Sequence, residues 1–337
     1  MLPYFKEVLS SYTETLQLLW EVDEAGSNCT VVRADNCDFC MASSDPFFKI
    51  NDFTVGNPSS KGISTKERQN RNLEETVLPS PNVIFAKPQI KFVCISDTHM
   101  RLYPKDVLNI PLGDVLLHAG DFSMKGNLPE IEYFNQLLGQ FPHPVKVVIA
   151  GNHESCLDST RRRIKKPVSM QHMLKTFGVE HPRDLLTNCI YLQEESVIVS
   201  GIKIYGAPWS PLYCSTAFQL DRGQPLAEKW DKIPDNVDIL MTHCPPYGIC
   251  DTYGEHPDQH AGCEELLNVL QTRISPKVHV FGHIHEGYGE TKKGGVHFIN
   301  ASMCTRGYRP INPAIVFELD NPLYQPDHSS NESEGSN

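Results

Sequence analysis

The feature that most constrains this chain is a series of short apolar runs in its middle part, each about as long as one buried β-strand. Runs of this length and composition predict strands that are covered on both faces. Helical patterns at Leu128–Leu138 and Cys263–Ile274 lie between some of them, which favours an α/β fold with helices covering a sheet. The principal predicted strands are Lys91–Ser96, Asp114–His118, Val145–Ala150, Val237–Thr242, Val278–Phe281 and Val296–Asn300. Further strands are predicted at Ile190–Leu192, Val197–Ser200, Lys203–Tyr205 and Ala314–Glu318.

Composition divides the chain into three parts. Residues 1–87 form a predicted N-terminal extension, in which an amphipathic helix at Leu2–Leu19 precedes an irregular linker rich in Ser, Asn and Gly. Residues 88–320 carry the predicted strands and form the main domain. Residues 321–337 are dominated by polar and acidic residues, which predicts a disordered tail.

The overall charge restricts the class of partner. A formal net charge of -11 and a pI near 5.7 argue against polymeric nucleic acid or an anionic membrane, which call for clustered Lys and Arg. The basic run Arg161–Lys166 is read by default as a solvated loop, with substrate steering or nuclear localisation as alternatives. No run reaches the roughly 20 apolar residues of a membrane span, and no signal peptide is predicted.

The cysteines indicate a reducing compartment. There are eleven, an odd number, and they are scattered rather than arranged as a disulfide framework. Cys37 and Cys40 form a lone CxxC, for which two free thiols are favoured over a metal or redox site. We therefore expect a cytoplasmic protein.

Polar residues follow five of the predicted strands. Ligand sites of open α/β sheets lie beyond the carboxyl ends of the strands, so these segments are expected to converge. Carboxylate, amide and imidazole groups together suit manganese, iron or zinc. Two metals roughly 4 Å apart need a bridging carboxylate, for which Asp121 is the natural candidate. The segments are Ser96-Asp97-Thr98-His99, Gly120-Asp121, Gly151-Asn152-His153-Glu154, Thr242-His243-Cys244-Pro245-Pro246 and Gly282-His283-Ile284-His285.

In this order, the five segments resemble the pattern DxH, GD, GNH(E/D), H and GHxH of the calcineurin-like metallophosphoesterases. The resemblance runs from Lys91 to Leu319, and Ile204–Pro208 and Phe281–Gly289 are similar to the metallophosphoesterase-domain-containing subgroup. It implies a four-layer α/β/β/α sandwich with mixed sheets and a dinuclear metal site at the strand carboxyl ends. The subgroup implies a metal-dependent phosphodiesterase that acts on small phosphodiesters such as cyclic nucleotides. The expected partner is therefore a small-molecule substrate.

The resemblance also implies a role for each site residue. His153 is left without a metal; with Asn152 it faces the substrate phosphate, and it protonates the leaving oxygen with support from Glu154. Attack is by a metal-bound hydroxide. Manganese is the favoured metal, with iron or zinc as alternatives. The implied ligands are Asp97, His99 and His285 on one metal, Asn152, His243 and His283 on the other, and Asp121 between them.

Several alternatives stay open at the level of sequence. Some members of the subgroup have glycine in place of the residue at His283, which weakens one metal site. Phosphoprotein phosphatases extend the second block to GDxxDRG, whereas Gly120–Gly126 lacks that extension, so phosphoserine and phosphothreonine substrates are less expected. A phosphomonoesterase and a low-turnover nucleotide-binding scaffold are the competing functions. His118 is either a partner of the Asp121 segment or a packed strand residue, and His279 is expected to be buried and hydrogen-bonded.

Overall fold

The computed structural model describes residues 77–78, 81, 83–160, 168–214, 216–254 and 258–326. The strands are β1 (Val77–Leu78), β2 (Gln89–Ile95), β3 (Val115–His118), β4 (Val145–Ile149), β5 (Ile190–Leu192), β6 (Glu195–Val199), β7 (Ile202–Ala207), β8 (Ser210–Pro211), β9 (Gln219–Leu220), β10 (Ile239–Thr242), β11 (Val278–Phe281), β12 (Gly289–Lys293), β13 (Val296–Asn300) and β14 (Ile315–Asp320). The α-helices are α1 (Leu128–Leu138), α2 (Val168–Phe177), α3 (Gln224–Trp230) and α4 (Glu264–Thr272). Short 3-10 helices occur at Pro104–Asn109, Pro182–Leu185 and His285–Gly287.

Two mixed sheets form the centre of the fold. The five-stranded sheet has the order β14-β2-β3-β4-β5, with β14 antiparallel to β2 and the other neighbours parallel. The seven-stranded sheet has the order β1-β6-β7-β10-β11-β13-β12. Its central strands β7, β10, β11 and β13 are parallel, so their carboxyl ends lie at one edge.

The main core lies between the two sheets. Alternate residues of β2, such as Phe92 and Cys94, are fully buried in the same apolar cluster as Ile239 and Met241 of β10. The intervening Val93 belongs to a second cluster that includes the residues of α1. Both faces of these strands are therefore covered, which explains their nearly continuous apolar sequences.

Helices cover the outer faces of the sheets. Asn127 caps the start of helix α1, because its side chain accepts a hydrogen bond from the Glu130 amide at 3.0 Å. The helix buries Ile131 and Phe134. Helices α3 and α4 bury Trp230 and Leu266 in the cluster that also contains residues of β7 and β10. The predicted α/β/β/α sandwich with mixed sheets is confirmed.

Parts of the predicted extension and tail can be located. Strand β1 lies within residues 1–87 and pairs in parallel with β6, although no strand was predicted there. Asn321, the first residue of the predicted tail, is buried, and its amide donates to the carbonyl of Pro88 at 2.8 Å. The predicted helix Leu2–Leu19, the Cys37–Cys40 pair and the basic run Arg161–Lys166 lie outside the described residues.

Two predictions concern membrane spans and the redox state of the cysteines. None of the helices within the described residues combines the length and apolar character needed to cross a membrane. Eight cysteines in this part of the chain carry free thiols.

Candidate metal centre

The predicted site residues meet where the parallel strands of both sheets end. Asp97, Asp121 and Asn152 follow β2, β3 and β4 of one sheet, whereas His243 and His283 follow β10 and β11 of the other. Asp97, His99, Asp121 and His283 adopt positive φ angles of 51°, 42°, 54° and 69°. L-residues enter this region at a cost of about 1–2 kcal/mol each, so the sharp turns at the strand ends are strained.

Asp97, His99 and His285 form the first group of candidate ligands. The Nε2 atom of His285 lies 3.2 Å from Asp97 Oδ1 and 3.2 Å from His99 Nε2. Their ligand atoms all lie within 4.8 Å of one another. The structure therefore brings together the three residues that were predicted to share one metal.

Asp121, His243 and His283 form the second group, again with ligand atoms within 4.8 Å of one another. His243 Nε2 lies 3.3 Å from Asp121 Oδ2 and 3.0 Å from Asn152 Oδ1. Asn152 thus joins the group through its side-chain oxygen.

Asp121 connects the two groups. Its Oδ2 atom lies 3.3 Å from His243 Nε2 and 3.9 Å from His99 Nε2. Its Oδ1 atom accepts a hydrogen bond from the backbone amide of His153 at 2.9 Å, which fixes the carboxylate plane. This position between the groups is the one that a bridging carboxylate requires.

Main-chain carbonyls fix the orientation of four site histidines. Because a carbonyl oxygen can only accept, each Nδ1 must carry the proton, and each Nε2 presents a lone pair in the neutral ring. Metal-ligating histidines are commonly held in this way. The pairs are His99 with Ser123 O at 3.2 Å, His153 with Met124 O at 2.7 Å, His243 with Ala119 O at 2.9 Å and His285 with Thr305 O at 3.0 Å.

In neutral rings, this orientation directs the Nε2 lone pairs into the site, with no proton between them. When His99 and His285 are both neutral, their rings direct two lone pairs at each other across 3.2 Å. The Nε2 lone pair of neutral His243 similarly faces the oxygens of Asn152 and Asp121. Converging acceptors without protons between them fit divalent cations, so the residues present fit a dinuclear metal site.

The electrostatics support ionised carboxylates, with neutral imidazoles at His99 and His283. Burial alone would raise the pKa of Asp97, but its hydrogen bond with His285 and the charge of that ring hold the pKa well below its usual range. Burial lowers the pKa of His99 and of His283 to about 3. His243 and His285 are exceptions: burial opposes protonation of both rings, yet the Asp121 carboxylate raises the pKa of His243 to about 9, and the hydrogen bond to Asp97 raises the pKa of His285 above its usual value. When the Nε2 atom of a histidine faces a carboxylate in this way, it can bind either a proton or a metal ion, but not both.

His153 lies at the open side of the group. Its side chain is 21% exposed, and its Nε2 atom lies 3.9 Å from Asp121 Oδ2. Its ligand atom also lies within 4.8 Å of those of His99 and Asp121. Distance alone therefore does not separate His153 from the ligands, and its assignment to the substrate side stays a prediction.

Glu154 does not orient His153 by direct contact, contrary to expectation. Its carboxylate accepts hydrogen bonds from the amides of Asp121, Gly151 and Ser123 and from the Ser123 hydroxyl, at 2.6–3.0 Å. Burial and the charge of Asp121 raise the pKa of Glu154 to about 7, although the four donors favour its ionised form. Glu154 holds the turns that carry the ligands, and Met124 holds His153.

Residues outside the five motifs support Asp97. The Ser302 hydroxyl donates to Asp97 Oδ2 at 2.8 Å, and the Asn300 side chain accepts from the Ser302 amide and donates to the carbonyl of Ile284. Asn300 is the last residue of β13 and Ser302 follows it, so they form a sixth polar strand end that the five-motif pattern does not include. Their polar side chains at the end of a predicted strand are the sequence signal by which Asn300 and Ser302 could have been identified.

His118 and His279 are buried histidines outside the candidate ligand groups. His118 is fully buried; its Nδ1 accepts from the Gly120 amide and its Nε2 lies 3.0 Å from Thr98 Oγ1, so it supports the turns around Asp97 and Asp121. His279 is buried with Nε2 2.8 Å from Thr242 Oγ1, which confirms the expected hydrogen bond.

Comparisons with known proteins identify the family. The calcineurin-like phosphoesterase profile matches residues 90–287. The chain is 48% identical over 237 residues to the human metallophosphoesterase domain-containing protein 1, covering 69% of this chain and 72% of the relative, with the same values for the mouse protein. A UPF0046 protein of Caenorhabditis elegans is 44% identical over 241 residues, covering 68% and 60%. The phosphopantetheinyl hydrolase of Mycobacterium tuberculosis gives a TM-score of 0.41 at 15% identity, covering 72% of this chain and 99% of that one.

The family profile spans more than half of the chain, and the human relative is identical at nearly half of 237 aligned residues. The chain therefore belongs to the calcineurin-like phosphoesterase family and is a metal-dependent phosphoesterase.

Proposed function

We propose that this phosphoesterase is a phosphodiesterase that hydrolyses small phosphodiesters such as cyclic nucleotides. The observation that carries the proposal is the position of His153, a partly exposed imidazole directed at the carboxylate between the two ligand groups. A diester with a sugar or alkyl leaving group needs a proton at the departing oxygen, and a positioned histidine typically contributes about 10² to 10⁴-fold to that step.

The proposed cofactors are two divalent ions, manganese in the first instance, with iron or zinc as alternatives. When bound, such ions neutralise phosphoryl charge and lower the pKa of water. The proposed ligands are Asp97, His99 and His285 for one ion and Asn152, His243 and His283 for the other, with Asp121 shared.

His153 has the proposed role of proton donor. The carbonyl of Met124 fixes its Nδ1–H, so Nε2 is the atom that faces the site, and it is the protonated imidazolium ring that would deliver the Nε2 proton to the leaving oxygen and return to the neutral form. Asn152, whose side-chain oxygen lies 3.0 Å from His243 Nε2, is proposed to contribute to phosphate binding as well as to the metal. Asn152 thus contributes to binding of the phosphate, and its neighbour His153 serves the leaving oxygen.

The turn after Asp121 favours small diesters over phosphoprotein substrates. Where the phosphoprotein phosphatase pattern has its Asp-Arg pair, this chain has Met124 and Lys125. The amides of both residues, and that of Gly126, donate to Glu130 Oε2 at 2.8–3.0 Å, so the turn is closed onto α1. It therefore lacks the carboxylate and guanidinium of that pattern.

The test is a comparison of turnover on matched substrates. The manganese-loaded protein is assayed with bis-p-nitrophenyl phosphate, p-nitrophenyl phosphate and a panel of cyclic nucleotides, with Asp121→Asn as the inactive control. A higher kcat/KM for the diesters is expected. Preference for the monoester would establish the phosphomonoesterase alternative, and metal-loaded protein that binds nucleotides without turnover would establish the scaffold.

We also propose a cytoplasmic location. The eight free thiols of the described residues support it, because a reducing compartment keeps cysteines in this state. Thiol titration of the native protein under denaturing, non-reducing conditions tests the proposal, and predominantly disulfide-bonded cysteines would contradict it.

A further inference from the structure

One aromatic ring outside the five motifs lies against the candidate metal centre. The ring centroid of Tyr308 is 4.7 Å from that of His99, 5.9 Å from that of His285 and 6.4 Å from that of His153. The first two rings belong to one ligand group, and the third is the proposed proton donor. Tyr308 is a partly buried residue, and its ring packs on the site.

The ring is carried by a short hairpin, Cys304–Pro310, which we call the Tyr308 hairpin. Cys304 and Pro310 pair as an antiparallel bridge, and the Thr305 amide donates to Arg309 O at 2.9 Å. The Tyr308 amide donates to the carbonyl of Thr305 at 2.8 Å, which closes the turn. The same carbonyl accepts from His285 Nδ1, so the hairpin is fixed directly to a candidate metal ligand.

The backbone of Tyr308 is strained. Its φ angle is +56°, in the left-handed region that glycine enters readily and L-residues enter at a cost. The position that follows such a tight turn in a hairpin is one where glycine is favoured. A bulky aromatic residue is held there instead, and strain of this kind clusters at functional sites.

We propose that Tyr308 contacts the substrate and selects phosphoesters whose leaving group carries a planar aromatic or heteroaromatic ring. We assign this contact to the leaving group because Tyr308 lies beside both His99 and His153. A group whose oxygen is protonated by His153 extends from the phosphorus on that side of the site. Aromatic rings prefer offset or edge-to-face contacts at centroid distances of 4.5–7 Å, and a substrate ring can pack on Tyr308 in this way.

A purely structural role predicts a different pattern of effects. If Tyr308 only supported His99 through their edge-to-face contact at 81°, its removal would weaken binding of every phosphoryl ligand equally. If it contacts the substituent, its removal weakens only ligands that carry a ring. A pair of ligands with the same charged head and different substituents separates the two roles.

The experiment is calorimetric titration of the manganese-loaded protein with phenylphosphonate and with methylphosphonate. We compare the parent with Tyr308→Leu, which removes the ring, and Tyr308→Phe, which keeps it. Leucine, phenylalanine and tyrosine meet the same backbone restriction at this φ angle, so strain is matched. The metal content of each variant is measured by elemental analysis.

For Tyr308→Leu we expect phenylphosphonate to bind about 3- to 10-fold more weakly, as for loss of one aromatic pair, with methylphosphonate changed by less than about 2-fold. Tyr308→Phe should keep the preference of the parent for the phenyl ligand. Equal losses for the two ligands, loss of metal, or no change in either affinity would overturn the proposal.

The choice of leaving group rests on the proposed phosphodiesterase function, but this test does not. Phosphonates are not hydrolysed, so the titration detects the ring contact even in a protein without turnover. A protein that fails to hydrolyse diesters and still shows a Tyr308-dependent phenyl preference would refute the proposed function alone. Diester hydrolysis with no such preference would refute the role of Tyr308 alone.

Discussion

Replacement of Gly282 by alanine would show how closely the backbone must approach Asp97 for a metal to bind. A Cβ atom at this position would lie 2.0 Å from Asp97 Oδ2 and 2.2 Å from Ser96 Oγ. Ordinary contact begins at 3.4 Å, and 3.4 minus 2.0 leaves a required displacement of 1.4 Å. Metal–ligand distances tolerate only about ±0.2 Å, so the displaced carboxylate loses its place in the coordination sphere.

The expected result is a defect in metal binding in a folded protein. Misplacement of a catalytic group by about 1 Å can cost about 10²-fold in rate, and we expect a loss of at least that size on bis-p-nitrophenyl phosphate. Overpacking lowers the free energy of unfolding by about 1–3 kcal/mol, which a folded domain can tolerate. The assays are elemental analysis, steady-state turnover and thermal unfolding.

Gly307→Ala is the matched control. The nearest atom to a Cβ atom at Gly307 is Thr305 Oγ1 at 3.9 Å, so the methyl group fits without displacement. Neither Gly282 nor Gly307 has a positive φ angle, which leaves the steric contact as the difference between the two substitutions. Metal content and turnover of Gly282→Ala that match those of Gly307→Ala would refute the inference that Asp97 is confined.

The remaining predictions concern the ligands and their support. Ser302→Ala removes the donor to Asp97 Oδ2 and should weaken manganese affinity about 10- to 100-fold without loss of fold, as measured by calorimetry; unchanged affinity would contradict the role of Ser302. His283→Gly deletes one ligand and Asp121→Ala deletes the bridge, so the second should reduce metal content and turnover more than the first; both matching the parent at limiting metal would show the assignment to be wrong. His153→Ala should retain metal and lose more activity on an alkyl or nucleoside diester than on a nitrophenyl diester, because nitrophenolate leaves without a proton; loss of a metal would make His153 a ligand. Chelation with EDTA should abolish turnover, and readdition of manganese should restore it; activity that survives removal of all metal would eliminate the metal-dependent mechanism.

The sequence predicted best what depends on apolar runs. The predicted bounds of β11, β13 and α1 are those of the structure, because each element is a run or a periodic stripe of buried side chains. Strand β12 was missed because its residues are mostly exposed and it lies at the edge of a sheet. Helix α3 was missed because it spans only seven residues and buries only Leu226 and Trp230.

The metal centre was predictable to the extent that side chains with ligand chemistry follow strand ends. The structure brings Asp97 beside His285 and Asp121 beside His243, as expected for converging strand ends. Main-chain partners such as the carbonyl of Met124 leave no trace in residue type, because every residue has a carbonyl group. The role of Tyr308 depends on a hairpin that forms only after the chain has folded, so no local pattern indicated it.

The proposed metal ligands come from both sheets, so bound metals would stabilise the contact between the sheets. Asp97 belongs to the five-stranded sheet and its neighbour His285, 188 residues away along the chain, follows a strand of the seven-stranded sheet. Asp121 and His243 are divided in the same way. An ion held by these proposed ligands would therefore join the two sheets of the sandwich. Because the unfolded chain offers no preformed site, the binding free energy of the ion would add to the free energy of unfolding. Removal of the metals would then lower the free energy of unfolding as well as the rate of turnover.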